Sequence, residues 1–108
     1  MLVSKLKEAL TLSAVTACEM EKDVTTCYIG DMLSVVMANA PQGAAWLTVQ
    51  SNINIVAVAA LTGIACIIVV EGMQPEEATI KKAEEQGIPI LKFEGTAFSL
   101  ACKIKELL

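Results

Sequence analysis

Apolar residues between Ala45 and Val70 fall into runs separated by one polar break, and this pattern predicts a βαβ unit. The first run, 46–49, favours a strand. The polar stretch 50–52 ends it, and a helix that is apolar on nearly every side follows as far as Gly63. Residues 64–70 form the continuous β-branched run of a buried parallel strand. Because a parallel pair needs a crossover, the helix is expected to cover one face of the sheet.

The flanking segments extend this unit into an α/β domain. Val3, Leu6 and Leu10 have the spacing of one helical face. Further strands are predicted at 12–17, 24–29 and 88–93, and helices at Asp31–Ala38, Asn52–Thr62, Pro75–Gln86 and Thr96–Leu107. We therefore predict a single compact, layered domain over residues 1–108, with about five mostly parallel strands flanked by helices.

The charged residues exclude several classes of function. The 108 residues carry 12 acidic and 8 basic side chains, a net charge of −4, and all eight basic residues are lysines. Without arginine the chain has no bidentate clamp for phosphate or guanine, so no nucleic-acid partner is expected. Without histidine it lacks the commonest general base and the commonest metal ligand. We expect neither catalysis, nor a metal, nor a cofactor.

Apolar residues make up 55% of the chain, which raises the question of a membrane. The longest run without a strongly polar residue, 55–70, is shorter than the roughly 20 residues of a spanning helix, and Gly63 interrupts it. The N-terminal residues lack the long apolar region of a signal peptide. We therefore expect a cytoplasmic protein with no membrane partner.

The four cysteines show no Cys-x-x-Cys spacing, which disfavours structural zinc or an iron–sulfur cluster. Cys66 falls in the central strand and Cys102 in the last helix, where free thiols are expected to pack as small hydrophobes. Cys18 and Cys27 flank a polar turn. Two hypotheses stand for them: reduced, buried thiols, which we favour, and a redox pair.

Candidate ligand-binding residues follow the predicted parallel strands. The carboxyl ends of such strands share one edge of the sheet, where helix N-termini also point and ligands gather. Four segments are expected at this edge: Gly30-Asp31, Gln50-Ser51-Asn52-Ile53-Asn54, Glu71-Gly72 and Glu94-Gly95-Thr96.

The amide and hydroxyl groups of the second segment are the strongest candidates for binding a small polar ligand. Ser51 and Asn52 also suit a helix cap, which is the interpretation we favour for them, whereas capping does not require Gln50 or Asn54. Asp31 is expected to cap the helix that follows it, and Glu71 to lie in a solvated turn. A carboxylate pair for acid–base chemistry or magnesium is the disfavoured alternative.

Three stretches together carry a resemblance to a known family: TTCYIGDMLSVVMANA, WLTVQSNINIVAVAAL and ACIIVVEGMQPEEATIKKAEEQGIPIL. They resemble the small stand-alone DRTGG-domain proteins of anaerobic bacteria, which share the fold of the N-terminal domain of HPr serine kinase. The resemblance implies a regulatory or ligand-binding α/β domain, a type often fused to CBS domains or to a phosphotransacetylase.

The chain departs from the family at the motif that names it. The nearest fit, residues 23–27, lacks the arginine and both glycines. No segment matches Gly-x-x-x-x-Gly-Lys-Ser/Thr either, so there is no P-loop to hold ATP.

Two functional hypotheses follow. The first is a non-enzymatic regulatory or sensor domain that binds a small metabolite or nucleotide. The second is a ligand-free interaction module, accessory to a redox or hydrogenase system. An enzyme ranks last, because no nucleophile–base pair or metal cluster can be assembled from these residue types.

The apolar helices also predict self-association. Residues 52–61 are apolar on every side, as are adjacent faces of residues 32–37, while a sheet covers only one face of a helix. We therefore expect a homodimer that buries aliphatic side chains and methionine, with few salt bridges across it.

Overall fold

Ten elements follow one another along the chain in a computed structural model that describes all residues 1–108. The helices are α1 (Val3–Leu10), α2 (Leu33–Asn39), α3 (Asn54–Thr62), α4 (Glu77–Gln86) and α5 (Ala97–Leu107). The strands are β1 (Ser13–Ala14), β2 (Thr26–Ile29), β3 (Ala44–Thr48), β4 (Cys66–Val69) and β5 (Ile90–Lys92). They form one sheet in the order β1-β5-β4-β3-β2, parallel throughout except for β1, which pairs with β5 in the antiparallel sense.

The predicted fold class is confirmed, and the element boundaries differ in one consistent way. Helices α2, α3 and α4 begin two residues later than predicted, and α5 begins one residue later. The residues predicted to open these helices, such as Pro75, remain in the preceding loops. The strands are shorter than the apolar runs that predict them, because residues such as Ile64, Val70 and Ile88 are buried beyond the ends of the ladders.

Three helices lie together on one face of the sheet because of the strand order. The chain runs from β2 to β3, β4 and β5, and each crossover moves one strand in the same direction. Right-handed crossovers that advance in one direction place α2, α3 and α4 on the same face. Helices α1 and α5 cover the other face, where Leu6, Leu100 and Ile104 pack into a separate core cluster.

The core consists of the two faces of β3 and β4, which are buried along their whole length. Trp46 and Ile67 point toward α2, α3 and α4, whereas Leu47 and Ile68 point toward α1 and α5. The indole Nε1 of Trp46 donates to the carbonyl of Gly30 at 2.9 Å, which ties the end of β2 to β3. The longest helix has 11 residues, and no helix combines the length and apolar character that crossing a bilayer requires.

A substitution at Leu47 tests how much the core on this face of the sheet contributes to stability. Its side chain is fully buried against α1 and α5, so Leu47→Ala is expected to lower the free energy of unfolding by about 2–5 kcal/mol in urea denaturation. Phe98→Ala is the control, because Phe98 is 76% exposed and its truncation should change stability by less than about 0.5 kcal/mol. Equal effects of the two substitutions would contradict this core.

Candidate functional site at the carboxyl edge of the sheet

The four candidate segments all follow the carboxyl ends of β2, β3, β4 and β5, which are parallel neighbours. They lie at one edge of the sheet, but their hydrogen bonds divide them into two groups. Gly30 bonds to Trp46 and Leu47 of β3, and Asp31 bonds to Val49 and Gln50 in the loop that follows it. Glu71 and Gly72 are joined to the loop at 93–95.

Asp31 connects β2 to the end of β3. Its Oδ1 accepts from the hydroxyl of Thr48 and from the backbone N–H of Val49, each at 2.9 Å. The predicted helix cap is wrong: Met32 occupies the cap position of α2, and no side chain bonds there. The carboxylate turns instead toward the neighbouring strand, where one oxygen satisfies two donors at once.

Gln50 and Asn52 continue this network. The Gln50 amide donates to the carbonyl of Asp31 at 2.8 Å and accepts from the Asn52 amide at 3.0 Å. Asn52 Oδ1 in turn accepts from the backbone N–H of Asn54 at 2.9 Å and so satisfies one donor of the first turn, although Ile53 rather than Asn52 occupies the cap position of α3. Both side chains are half-buried and already engaged, and they rigidify the edge.

Ser51 and Asn54 hold the free polar groups of this loop. The Ser51 carbonyl accepts from the backbone N–H of Glu76 at 3.1 Å and from the Thr79 hydroxyl at 2.8 Å, which fixes the loop onto α4. The Ser51 hydroxyl and the Asn54 side-chain amide make no hydrogen bond within the chain. Asn54 is exposed and lines a groove of about 460 Å³ between α3 and α4, hereafter the α3–α4 groove.

Glu71 and Gly72 form a tight turn against the end of β5. Both have positive φ, 59° and 68°, and their N–H groups donate to the carbonyls of Gly95 and Phe93 at 2.8 and 3.2 Å. A side chain at Gly72 would place its Cβ 2.5 Å from the carboxylate of Glu94. The left-handed backbone conformation favours glycine at this position, whereas the Glu94 carboxylate is the end of a flexible side chain that can move aside.

This second group lies at a topological switch point. After β4 the chain turns to α4 on one face of the sheet, and after β5 it turns to α5 on the other. Such a divergence opens the crevice in which α/β sheets commonly bind ligands. Sequence patterns did not reveal it, because nothing in the apolar stripe of α5 specifies the face that it covers. Thr96 begins α5 as a cap, accepting from the N–H of Ser99 at 3.1 Å.

A second groove, of about 740 Å³, lies between β2 and the last turn of α5. Cys27, Ile29 and Ile104 are among the residues that line it. Residues 23–27 are the segment nearest to the family motif, and three of them line this groove: Thr25, Thr26 and Cys27. The sequence gives no signal for this groove, because its two walls are more than 70 residues apart in the chain.

The cysteines occupy three environments. Cys66 is fully buried in β4, as predicted, whereas the prediction for Cys102 is wrong because its side chain is exposed. Position 102 is two residues from the inward-facing Leu100 and Ile104, and it therefore points away from the sheet. Cys18 lies beside Thr16, whose hydroxyl accepts from Ile90 on β5.

Cys27 is on β2, at the opposite edge of the sheet from Cys18. The three strand spacings from β5 to β2 amount to about 14 Å. A disulfide requires Cα atoms within about 7 Å, so the two thiols do not form a redox pair within one chain. Burial raises the pKa of Cys27 to about 11 and that of Cys66 to about 12, which leaves both thiols protonated and unreactive at neutral pH.

Comparison with known proteins places the chain in a family. The family model of the DRTGG domain matches residues 5–107. The chain belongs to the DRTGG-domain family. A search of curated proteins finds no match.

A solved structure shares the fold of this DRTGG domain. It comprises the CBS and DRTGG domains of the regulatory region of Clostridium perfringens pyrophosphatase, complexed with the activator diadenosine tetraphosphate. The two share 12% sequence identity with a TM-score of 0.65 over 93% of this chain. The chain spans 44% of that protein's length, less than half of the regulatory region.

Two substitutions test which side chains of this loop contribute hydrogen bonds to the stability of the fold and which do not. Gln50→Ala removes two side-chain hydrogen bonds and is expected to lower the free energy of unfolding by about 1 kcal/mol. Asn54→Ala removes none and should change it by less than about 0.5 kcal/mol. Urea denaturation of both variants distinguishes them; a larger loss from Asn54→Ala would contradict the assignment of its amide as free.

Because the pKa of the buried Cys66 thiol is raised, we expect the free energy of unfolding to fall at alkaline pH. Burial raises its pKa from 9.0 to about 12, so the unfolded chain loses this proton at a lower pH than the folded protein does. The stabilisation is complete below pH 9.0 and is lost as the pH rises toward about 12. Wild type should therefore lose more stability than Cys66→Ala between these limits, and parallel pH curves for the two proteins would contradict the prediction.

Proposed function

We propose that this DRTGG domain is a non-catalytic regulatory module that binds a small metabolite or nucleotide at the carboxyl edge of its sheet. The observation that carries the proposal is the pair of free polar groups, the Ser51 hydroxyl and the Asn54 amide, held beside a rigid network. A related regulatory region that contains a DRTGG domain has been solved with a nucleotide activator, which supports the ligand class.

The charges at this edge favour the neutral part of a nucleotide. Asp31, Glu71 and Glu94 follow three of the four parallel strands, and the chain has no arginine. The Lys92 ammonium, at the end of β5, donates to the Gln74 amide at 3.0 Å. Carboxylates repel phosphate, whereas amide and hydroxyl groups match the hydrogen-bonding edges of a base and a ribose. We therefore propose recognition through the nucleoside moiety.

A ligand bound at Ser51 and Asn54 would affect two helices, α3 and α4. Ser51 is bonded through its carbonyl to the start of α4, and Asn54 is the first residue of α3. A ligand held by both residues would restrain the loop between β3 and α3 together with the N-terminal turns of both helices. This is how the proposed module would pass its liganded state to a partner.

The alternative is a ligand-free interaction module. It is favoured by the engagement of Gln50 and Asn52, whose amides bond to each other and to the backbone rather than pointing outward. Native mass spectrometry of the protein from cells, with small-molecule analysis of the denatured sample, separates the two hypotheses. A co-purifying metabolite supports the regulatory module, and a protein partner without one supports the alternative.

Calorimetry with adenosine, ATP and diadenosine tetraphosphate tests the site directly. The double variant Ser51→Ala/Asn54→Ala is expected to weaken nucleoside binding at least about tenfold, since it removes both free groups. Its melting temperature should match that of wild type.

Asn39→Ala is the matched control, because it removes an exposed asparagine from the C-terminal end of α2, away from the carboxyl edge. If the double variant bound the nucleosides as tightly as wild type, Ser51 and Asn54 would not be the binding site. An absence of binding by wild type to all three probes would contradict nucleoside recognition.

A further inference from the structure

The charged residues of this chain are distributed very unevenly. All 20 acidic and basic side chains lie within residues 1–31 and 71–108, so residues 32–70 contain none. This uncharged segment includes α2 and α3, which contact each other on one face of the sheet. Their outward-facing side, hereafter the α2–α3 face, is therefore a surface without formal charge.

The α2–α3 face is also apolar. On α3, Leu61 is 72% exposed and Ile53 is 43% exposed, and Ala57 and Ala60 lie between them on the same stripe. The hydroxyl of Thr62 is already satisfied by the carbonyl of Val58 at 2.8 Å. Three further exposed apolar side chains lie at α2: Met32, Val35 and Met37. Positions 35 and 37 are about 200° apart around the helix axis, on either side of the buried Val36, so only one of these two can border α3.

This face contains both a projection and a recess. Leu61 projects from the last turn of α3 and itself borders the α3–α4 groove of about 460 Å³, which Ile53, Ala57 and Ala60 also line. The small side chains of the two alanines leave room for an incoming apolar residue. On the α4 side the groove is bounded by Gln86 and by Lys82, whose ammonium lies 3.9 Å from Glu85.

We propose that the α2–α3 face is the interface of a two-fold homodimer, in which Leu61 of each copy inserts into the α3–α4 groove of the other. A two-fold contact brings the same surface together from both copies, so one face must supply projection and recess alike. The α2–α3 face supplies both. The inference extends the proposed regulatory function by naming its partner as a second copy of this chain.

The absence of charge on the α2–α3 face favours a second copy of this chain over a charged partner. Each copy has a net charge of −4, so two copies repel wherever acidic side chains meet. The helices α2 and α3 bring no formal charge to the contact, and Lys82 of α4, with Glu85 beside it, forms a polar rim along the groove. An apolar centre with a polar rim is the usual anatomy of a stable interface, and a charged partner would find no opposite charge here.

The size of the molecule is compatible with such a contact. A typical stable interface covers about 800 Å² on each partner. That is roughly one seventh of the 5472 Å² surface of this chain, so a contact of this size would involve the rim residues of α4 as well as the two short helices. On the opposite face, exposed Phe98 belongs to α5, which carries Lys103, Lys105 and Glu106 and offers no comparable uncharged surface.

Sedimentation velocity of the full chain tests the interface. Wild type at low micromolar concentration is expected at twice the 11.4 kDa of one chain. Leu61→Glu and Ala57→Glu place a carboxylate in the contact and should each raise the dissociation constant about thirtyfold or more. Phe98→Glu is the matched control: it adds the same charge at an equally exposed apolar position on the other face and should leave the dimer intact.

Thermal unfolding provides a second readout, because a dimer melts at a temperature that rises with protein concentration. Wild type and Phe98→Glu should show this dependence, whereas Leu61→Glu should not. Leu61→Ser, at a position that is 72% exposed, serves in place of Leu61→Glu if the latter fails to fold.

Three results would overturn the proposed interface: a wild-type monomer, a dimer that persists in both Leu61 and Ala57 variants, or dissociation caused by Phe98→Glu. None of these measurements uses a ligand, so failure of the interface is distinguishable from failure of nucleoside binding.

Discussion

The structure depends on burying both faces of two adjacent strands. Every residue of β3 and β4 is buried, so helices must cover the sheet on both sides. The three parallel crossovers can supply helices to one side only, because they advance in one direction. The second side is covered by the two terminal helices, α1 and α5. The chain ends therefore contribute to the core as much as the central βαβ unit does.

The sequence predicted the elements well where local chemistry determines them. The β-branched run around Ile67 and the glycines at positions 63 and 87 predicted strand and helix ends to within about two residues, since both glycines adopt the left-handed conformation at helix termini. The apolar stripe of α5 correctly predicted Leu100 and Ile104 as buried. These features depend on neighbours in sequence.

Features that depend on distant residues were not predictable in this way. The Asp31 carboxylate bonds to Thr48 and Val49, 17 and 18 residues away, rather than to its own helix. Likewise, the Glu94 carboxylate lies over Gly72, and no local pattern links the two positions. At the candidate site the sequence identified the segments, but only the structure shows that Gln50 and Asn52 are engaged while Ser51 and Asn54 are free. Kinship with the N-terminal domain of HPr serine kinase stays a prediction.

The proposed ligand site and the proposed interface share a single helix. Asn54 opens α3 at the carboxyl edge and also lines the α3–α4 groove, and Leu61 lies two turns further along the same helix. In the proposed dimer, Leu61 of one copy therefore approaches the groove that contains the Asn54 amide of the other, which is the group proposed to bind the ligand. If a ligand bound to Asn54 restrained the start of α3, it would change the free energy of packing Leu61 in the groove, and by linkage dimerisation would change ligand affinity by the same factor. The network of Asp31, Gln50 and Asn52 fixes the beginning of the loop to β2, so such a coupling would act through the start of α3 and not through the sheet.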